Sequence, residues 1–269
     1  MAAQADLPSA RSQASRGTYL YLVACVIFLT CAALTLYFFR SMAGGMPMPG
    51  GWTMSMTWMR MGSWPLMLGM FCLMWLAMMV VMMLPSSLPV LMLVWRSLQV
   101  RGARHSDLLT WTTAAGYFLA WSGFGLLAFA AGVGCAEAAM ASDKFSRAVP
   151  WLTGAIVIFA GVYQLLPVKT ACLRSCRDPL LLVAHMGDGW RGALRLGLRH
   201  GTFCVSCCWA LMLIQLVLGV MNLPVMALIA LIIAWEKLSA SSTLPARLVG
   251  VTAVLAGLAI VLRVLLTAS

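Results

Sequence analysis

The chain has 269 residues, of which 62% are hydrophobic and 9% charged, and its mean hydropathy is +0.94. These values exclude a soluble globular domain and point to a polytopic membrane protein. The formal charge of +11 invites a nucleic-acid partner, but the placement of the charge removes that reading: with the N-terminus in the cytoplasm, only Arg40, Arg60, Lys144, Arg147 and Arg263 of the 18 Lys and Arg fall outside. That asymmetry is an orientation signal and an attraction to anionic lipid heads, so the expected partner is the bilayer and no nucleic acid is implied.

Apolar runs long enough to span occur at 19–39, 65–84, 108–132, 150–166, 203–221, 224–238 and 245–266. Only a helix satisfies its own backbone in hydrocarbon, so the expected fold is all-α, a polytopic transmembrane helical bundle. The fourth and sixth runs are short, which leaves six or seven spanning helices. Residues 1–18 read as a cytoplasmic tail, and 19–266 as a single transmembrane helical domain. The first run is longer than the apolar core of a secretory signal, so an uncleaved first helix is expected.

The outer loop 40–64 is rich in Gly, Pro and Met and holds Met42, Met46, Met48, Met54, Met56, Met59 and Met61 beside Trp52 and Trp58. Thioethers are soft, neutral and unable to form disulfides, so this loop suits Cu(I) in an oxidising compartment. A floppy interfacial loop with Met and Trp in the headgroup belt is the plainer reading. The second helix continues the series with Met67, Met70, Met74 and Met78 on one face, Met82 extending the row. That row reads equally as a relay for a soft monovalent ion or as adaptable apolar packing. Pro85 and Pro89, flanking Ser86 and Ser87, are expected to break the helix at its cytoplasmic end.

His105 belongs to a basic inner loop and reads as solvated. The third helix carries Gly116, Gly123, Gly125, Ala128 and Gly132, which allow close helix approach. Cys135, Glu137, Met140 and Asp143 follow in an expected outer loop. The inner segment 167–202 is rich in Cys and Arg, and His185 lies within it near Asp188. Its cations are expected to favour thiolate at Cys172 and Cys176. Cys25, Cys31 and Cys72 read as packing residues in apolar helices. Glu236 is expensive in the membrane unless paired, with Lys237, the arginines of the cysteine cluster or a metal centre as candidate partners.

The densest chemistry lies in His200-Gly-Thr-Phe-Cys204-Val-Ser-Cys207-Cys208. On a helix His200, Cys204 and Cys207 share a face, with Cys208 beside them. With Cys172 and Cys176 these form a candidate soft-metal ligand set for Cu(I) or Zn. The alternative is that buried cysteines simply pack.

A family resemblance rests on Gly161-Val162-Tyr163-Gln164, Pro167, Lys169, the run Cys172 to Pro179, the segment His200 to Met212, Gly219 to Leu223, Glu236-Lys237, and the Met-Met-Leu-Pro run ending at Pro85. Over about residues 65 to 260 the chain resembles a bacterial family of predicted metal-binding integral membrane proteins. The resemblance implies a bacterial inner-membrane location and metal binding, without a mechanism.

Three functions follow. The first is Cu(I) handling for acquisition, transfer or delivery, with a copper donor or a membrane cuproenzyme as partner and no enzymatic step. The second is a membrane thiol oxidoreductase using Cys204 and Cys207. The third is an assembly subunit with a stapling zinc-like site.

Overall fold

The structure, a computed structural model, describes residues 10–42, 44–59, 62–177, 183, 187–239 and 243–268, without the side chains of 10–16 and 268. Met61 and His185 lie outside the described residues, as do residues 1–9 of the expected tail. Eight α-helices are described: α1 Ala10–Ser41, α2 Trp64–Val100, α3 Ser106–Ala141, α4 Asp143–Leu165, α5 Pro167–Arg177, α6 Gly189–Gly219, α7 Leu223–Leu238 and α8 Thr243–Ala268. Six of them (α1, α2, α3, α4, α6 and α8) are long and apolar enough to cross a membrane. The protein is a multi-pass membrane helical bundle. Its sixteen-residue α7 is about 24 Å long, short of the roughly 30 Å hydrocarbon core.

Lipid-facing surface is visible in the exposure pattern. Leu22, Leu29 and Leu36 of α1 and Leu248, Leu255 and Leu262 of α8, each spaced by seven, are all at least 48% exposed. Stripes of that kind are costly in water and natural against acyl chains. The interior holds methionine and polar groups instead: Met74, Met78, Met79 and Met83 are fully buried, as is Lys169.

Small residues set the helix pairs. At α3–α6 a Cβ on Gly197 would collide with the Thr113 carbonyl, and one on Gly201 would stand 2.7 Å from the Tyr117 carbonyl oxygen. The two backbones therefore touch, with Gly197 and Gly201 four apart on the shared face. This contact brings Tyr117 of α3 against Cys204 of α6.

Four elements differ from the sequence expectation. The first is α1, which begins at Ala10, inside the stretch read as a tail. The second is α2, which runs through Pro85 and Pro89 without a break. Two proline nitrogens deprive their helix of donors, but Ser87 Oγ donates to the Met83 carbonyl at 2.9 Å and Ser86 Oγ to the same carbonyl at 3.0 Å. The carbonyls that the prolines leave without a donor are those of Val81 and Pro85, four residues before each, so the serine bonds reinforce the turn between them while packing against neighbouring helices carries α2 through. Third, α3 continues to Ala141, so Cys135, Glu137 and Met140 lie on a helix and not in a loop. Fourth, the inner segment is largely helical, its cysteines sitting on α5 and α6.

The outer loop contains a hairpin, β1 Gly45–Met48 paired antiparallel with β2 Trp52–Ser55. Gly50 and Gly51 make its turn at φ +103° and +75°, a region closed to most L-residues. Ser146 Oγ donates to the Pro49 carbonyl at 2.8 Å and Trp52 Nε1 to the Ser146 carbonyl at 2.9 Å, which pins the hairpin to the start of α4.

Candidate metal centre

Helical spacing does the first work. On α6, Cys204 and Cys207 are three apart and face the bundle interior, and α5 lays Cys176 against them. The three sulfurs lie within 4.8 Å of one another, and all three residues are buried. One ion can reach all three, since metal–thiolate bonds are about 2.3 Å. Cys208 Sγ stands 3.3 Å from Cys207 Sγ, beside the trio.

His200 lies one turn before Cys204. Its ring is 5% exposed and 5.2 Å from that of Tyr117, and its Nδ1 is buried without a hydrogen-bond partner. A buried nitrogen without a partner is costly, and an imidazole nitrogen in that state is free to take a soft or borderline metal. Cys172, one turn before Cys176, is half-buried and packs against the same core, outside the trio.

The cation that touches the centre is Lys237. Its Nζ donates to Cys204 Sγ at 3.1 Å, to Ser86 Oγ at 3.2 Å and to the Tyr117 hydroxyl at 3.4 Å, and that hydroxyl is 2.9 Å from Cys204 Sγ. An ammonium has only donors, so Cys204 sulfur is the acceptor in that bond. Lys237 thus compensates negative charge at the centre. It is not the partner of Glu236, as expectation allowed. That partner is Lys169, whose Nζ donates to both Glu236 oxygens at 2.6 and 2.7 Å with both side chains buried. The pair clamps α5, and with it Cys176, onto α7.

Cys176 does not follow the thiolate expectation. A hydrogen bond to Cys204, and after it burial, push its thiol up to about 12, so a metal binding there displaces a proton. Sequence reasoning missed Tyr117 and Ser86 as neighbours of the centre. Neither carries a local signal, because each reaches it from another helix.

The centre opens at one side into a cavity of about 280 Å³ lined by Ser86, Cys176, Arg177, His200, Lys237 and apolar residues of α2 and α7. At the hairpin end a second cavity, of about 270 Å³, is lined by Met56 and Met59 of the loop and Met67, Met70 and Met74 of α2, together with Met42. Met46, Met48 and Met54 are not among its walls. They pack on Ala136 and Ala139 at the end of α3. Met78 is buried in the core shared by Met74, Met82 and the cysteines.

All-sulfur donors in a buried trio suit a soft metal, and the orphaned Nδ1 of His200 fits the same chemistry. The comparisons with known proteins agree. Residues 72–260 match the family described as PpoB2, copper chaperone, whereas no curated protein and no solved structure matches the chain. With more than two thirds of its length inside that match, this chain, a helical membrane protein with a buried cysteine cluster, belongs to the PpoB2 copper chaperone family.

Proposed function

We propose that the protein carries Cu(I) as cargo, held by Cys176, Cys204 and Cys207 with His200 and Cys208 as flanking donors, and passes it to a membrane cuproenzyme. The observation that carries this reading is the convergence of three buried sulfurs within 4.8 Å with no carboxylate among them. Cu(I) is satisfied by two or three sulfurs, while a structural Zn(II) takes a closed tetrahedron. Lys237 offsets the charge of a thiolate-bound monovalent ion. The cavity beside Cys176 and His200 gives an acceptor's ligands a way in, and half-buried Cys172 is placed to take part in the exchange.

In this reading, supported by the positive-inside asymmetry, the N-terminus and this cavity lie on the cytoplasmic side of a bacterial inner membrane and the hairpin outside. The buried methionines Met74, Met78 and Met82 of α2 then form a path from the hairpin end towards the cysteines. From Met74 to the level of Ser86 is about 18 Å along the helix, in steps of about 6 Å.

No chemical conversion is part of this role. The match to a copper chaperone family supports carriage over thiol oxidoreduction. The test is the metal content of detergent-purified protein prepared without oxygen from cells supplied with both copper and zinc. Copper in the protein is the expected result. Zinc, or no metal, contradicts the proposal.

A further inference from the structure

We infer that the chain has a second Cu(I) site at the hairpin end, built from thioethers of Met42, Met56, Met59, Met67, Met70 and Met74, and that the hairpin methionines Met46, Met48 and Met54 serve packing instead. The inference rests on the Cu(I) reading of the cysteine centre and names where that cargo is first captured.

The outer loop reads in sequence as one methionine-rich tract, and the fold divides it in two. Hairpin register places Met46 opposite Met54 and Met48 opposite Trp52. Met48 and Met54 are 8% and 1% exposed and covered by Ala136 and Ala139. Met42, Met56 and Met59 line the cavity of about 270 Å³, Met59 also packing beside Met48 and Met54. In the cavity they meet Met67, Met70 and Met74, which the 3 and 4 spacing puts on one face of α2.

Three features distinguish this cavity from a gap filled by flexible side chains. Its sulfurs come from three chain segments separated by the hairpin, so no single helix repeat accounts for them. The Thr57 hydroxyl donates to Met42 Sδ at 3.8 Å, which fixes the orientation of one thioether. Along the α2 wall Met67 is 8%, Met70 41% and Met74 0% exposed, so Met70 stands at an accessible edge while Met67 and Met74 form a buried wall and floor. Phe71 forms part of that wall beneath Trp58, at 5.7 Å between rings, and an aromatic face adds favourable interaction with a cation. The cavity walls carry no carboxylate or imidazole, and their one polar side chain, Thr57, is turned to Met42 Sδ, so the donors on offer are chiefly neutral thioethers, which fit Cu(I) and are poor ligands for Zn(II) or Mg(II).

The experiment uses the full-length detergent-purified chain without oxygen, Cu(I) as probe and a colorimetric Cu(I) chelator as competitor. Wild type is expected to hold about two Cu(I) per chain, one per site. Substituting Met56→Leu, Met67→Leu and Met70→Leu together should lower this to about one, with the thioether site weakened about tenfold or more. In a Cys176→Ser, Cys204→Ser, Cys207→Ser background the same Leu set should remove the remaining Cu(I). The pair Met48→Leu and Met54→Leu should leave both counts unchanged. Leu is close to isosteric with Met, and an unchanged size-exclusion profile and thermal transition establish that each variant folds.

Retention of the second Cu(I) in the Met56, Met67, Met70 variant, or equal loss in the Met48, Met54 pair, overturns the inference. Loss of all Cu(I) on the three Cys→Ser changes alone also overturns it while leaving the cysteine centre intact. Copper content unaffected by those Cys→Ser changes overturns the cysteine reading instead, and the Leu set then decides the thioether site by itself. Persistence of the cavity as a lipid-chain slot would show as identical Cu(I) binding in every Met variant.

Discussion

Cys204→Ser combined with Cys207→Ser is expected to weaken Cu(I) retention by the cysteine centre by far more than 100-fold, read in the Met56→Leu, Met67→Leu, Met70→Leu background, while leaving the protein folded and inserted. The buried trio has three sulfurs within reach of one ion, and the double change leaves only Cys176. Loss of groups that merely support ligands already costs about 10- to 100-fold in metal proteins, so removal of two direct ligands exceeds that range. Lys237, Tyr117 and Ser86 keep hydrogen-bond acceptors and donors around a serine hydroxyl at position 204, so the fold loses little. Equilibrium competition with a Cu(I) chelator measures the change. Affinity within a few-fold of that background would place the cargo elsewhere.

Glu236→Ala is expected to destabilise the protein by about 3–5 kcal/mol, because it leaves the Lys169 ammonium buried and unpaired. The two side chains are 0% and 1% exposed and bonded through both carboxylate oxygens, so water cannot replace the lost partner. The double change Lys169→Met, Glu236→Leu removes both charges and should recover most of that stability, as apolar replacements of buried ion pairs often do. Neither residue touches the cysteine sulfurs in the fold described, yet Cu(I) affinity should fall in Glu236→Ala, since the pair holds α5 and Cys176 in place. Thermal unfolding in detergent, followed for wild type and both variants, separates this clamp from a direct role in ligation. Equal stability of Glu236→Ala and wild type would contradict it.

The bundle is legible in the sequence because hydrocarbon demands long apolar helices, and six such runs are hard to mistake. Helix ends are less legible. Whether Pro85 stops α2 depends on Ser86 and Ser87 finding carbonyls and on α7 and α3 packing alongside, which local propensity does not carry. The hairpin did leave a signal: Met46-Pro-Met48 and Met54-Ser-Met56 alternate with period two around Pro49-Gly50-Gly51, a strand–turn–strand pattern.

At the metal centre, Cys204 and Cys207 were legible from their spacing on one helix. Their meeting with Cys176 was an expectation about a loop, and the fold realises it through two helices. The ion pair was not legible. Lys169 and Glu236 are 67 positions apart, and adjacent Lys237 was the nearer candidate, although it faces the opposite way, towards Cys204. Which cation neutralises which anion is decided by helix rotation in the packed bundle. The division of the methionines is of the same kind, since strand register and not composition sets Met48 and Met54 on the Ala136 and Ala139 face and away from the cavity that Met56 lines.

The measurement that bears most directly on the central claim is X-ray absorption at the copper edge of full-length protein loaded without oxygen to one equivalent. The account predicts a Cu(I) edge and an inner shell dominated by sulfur at about 2.3 Å, the ordinary metal–thiolate distance, lost when Cys204 and Cys207 are replaced in a Met56→Leu, Met67→Leu, Met70→Leu background that removes the thioether site. A shell dominated by nitrogen or oxygen, or a sulfur shell that survives that replacement unchanged, would contradict it.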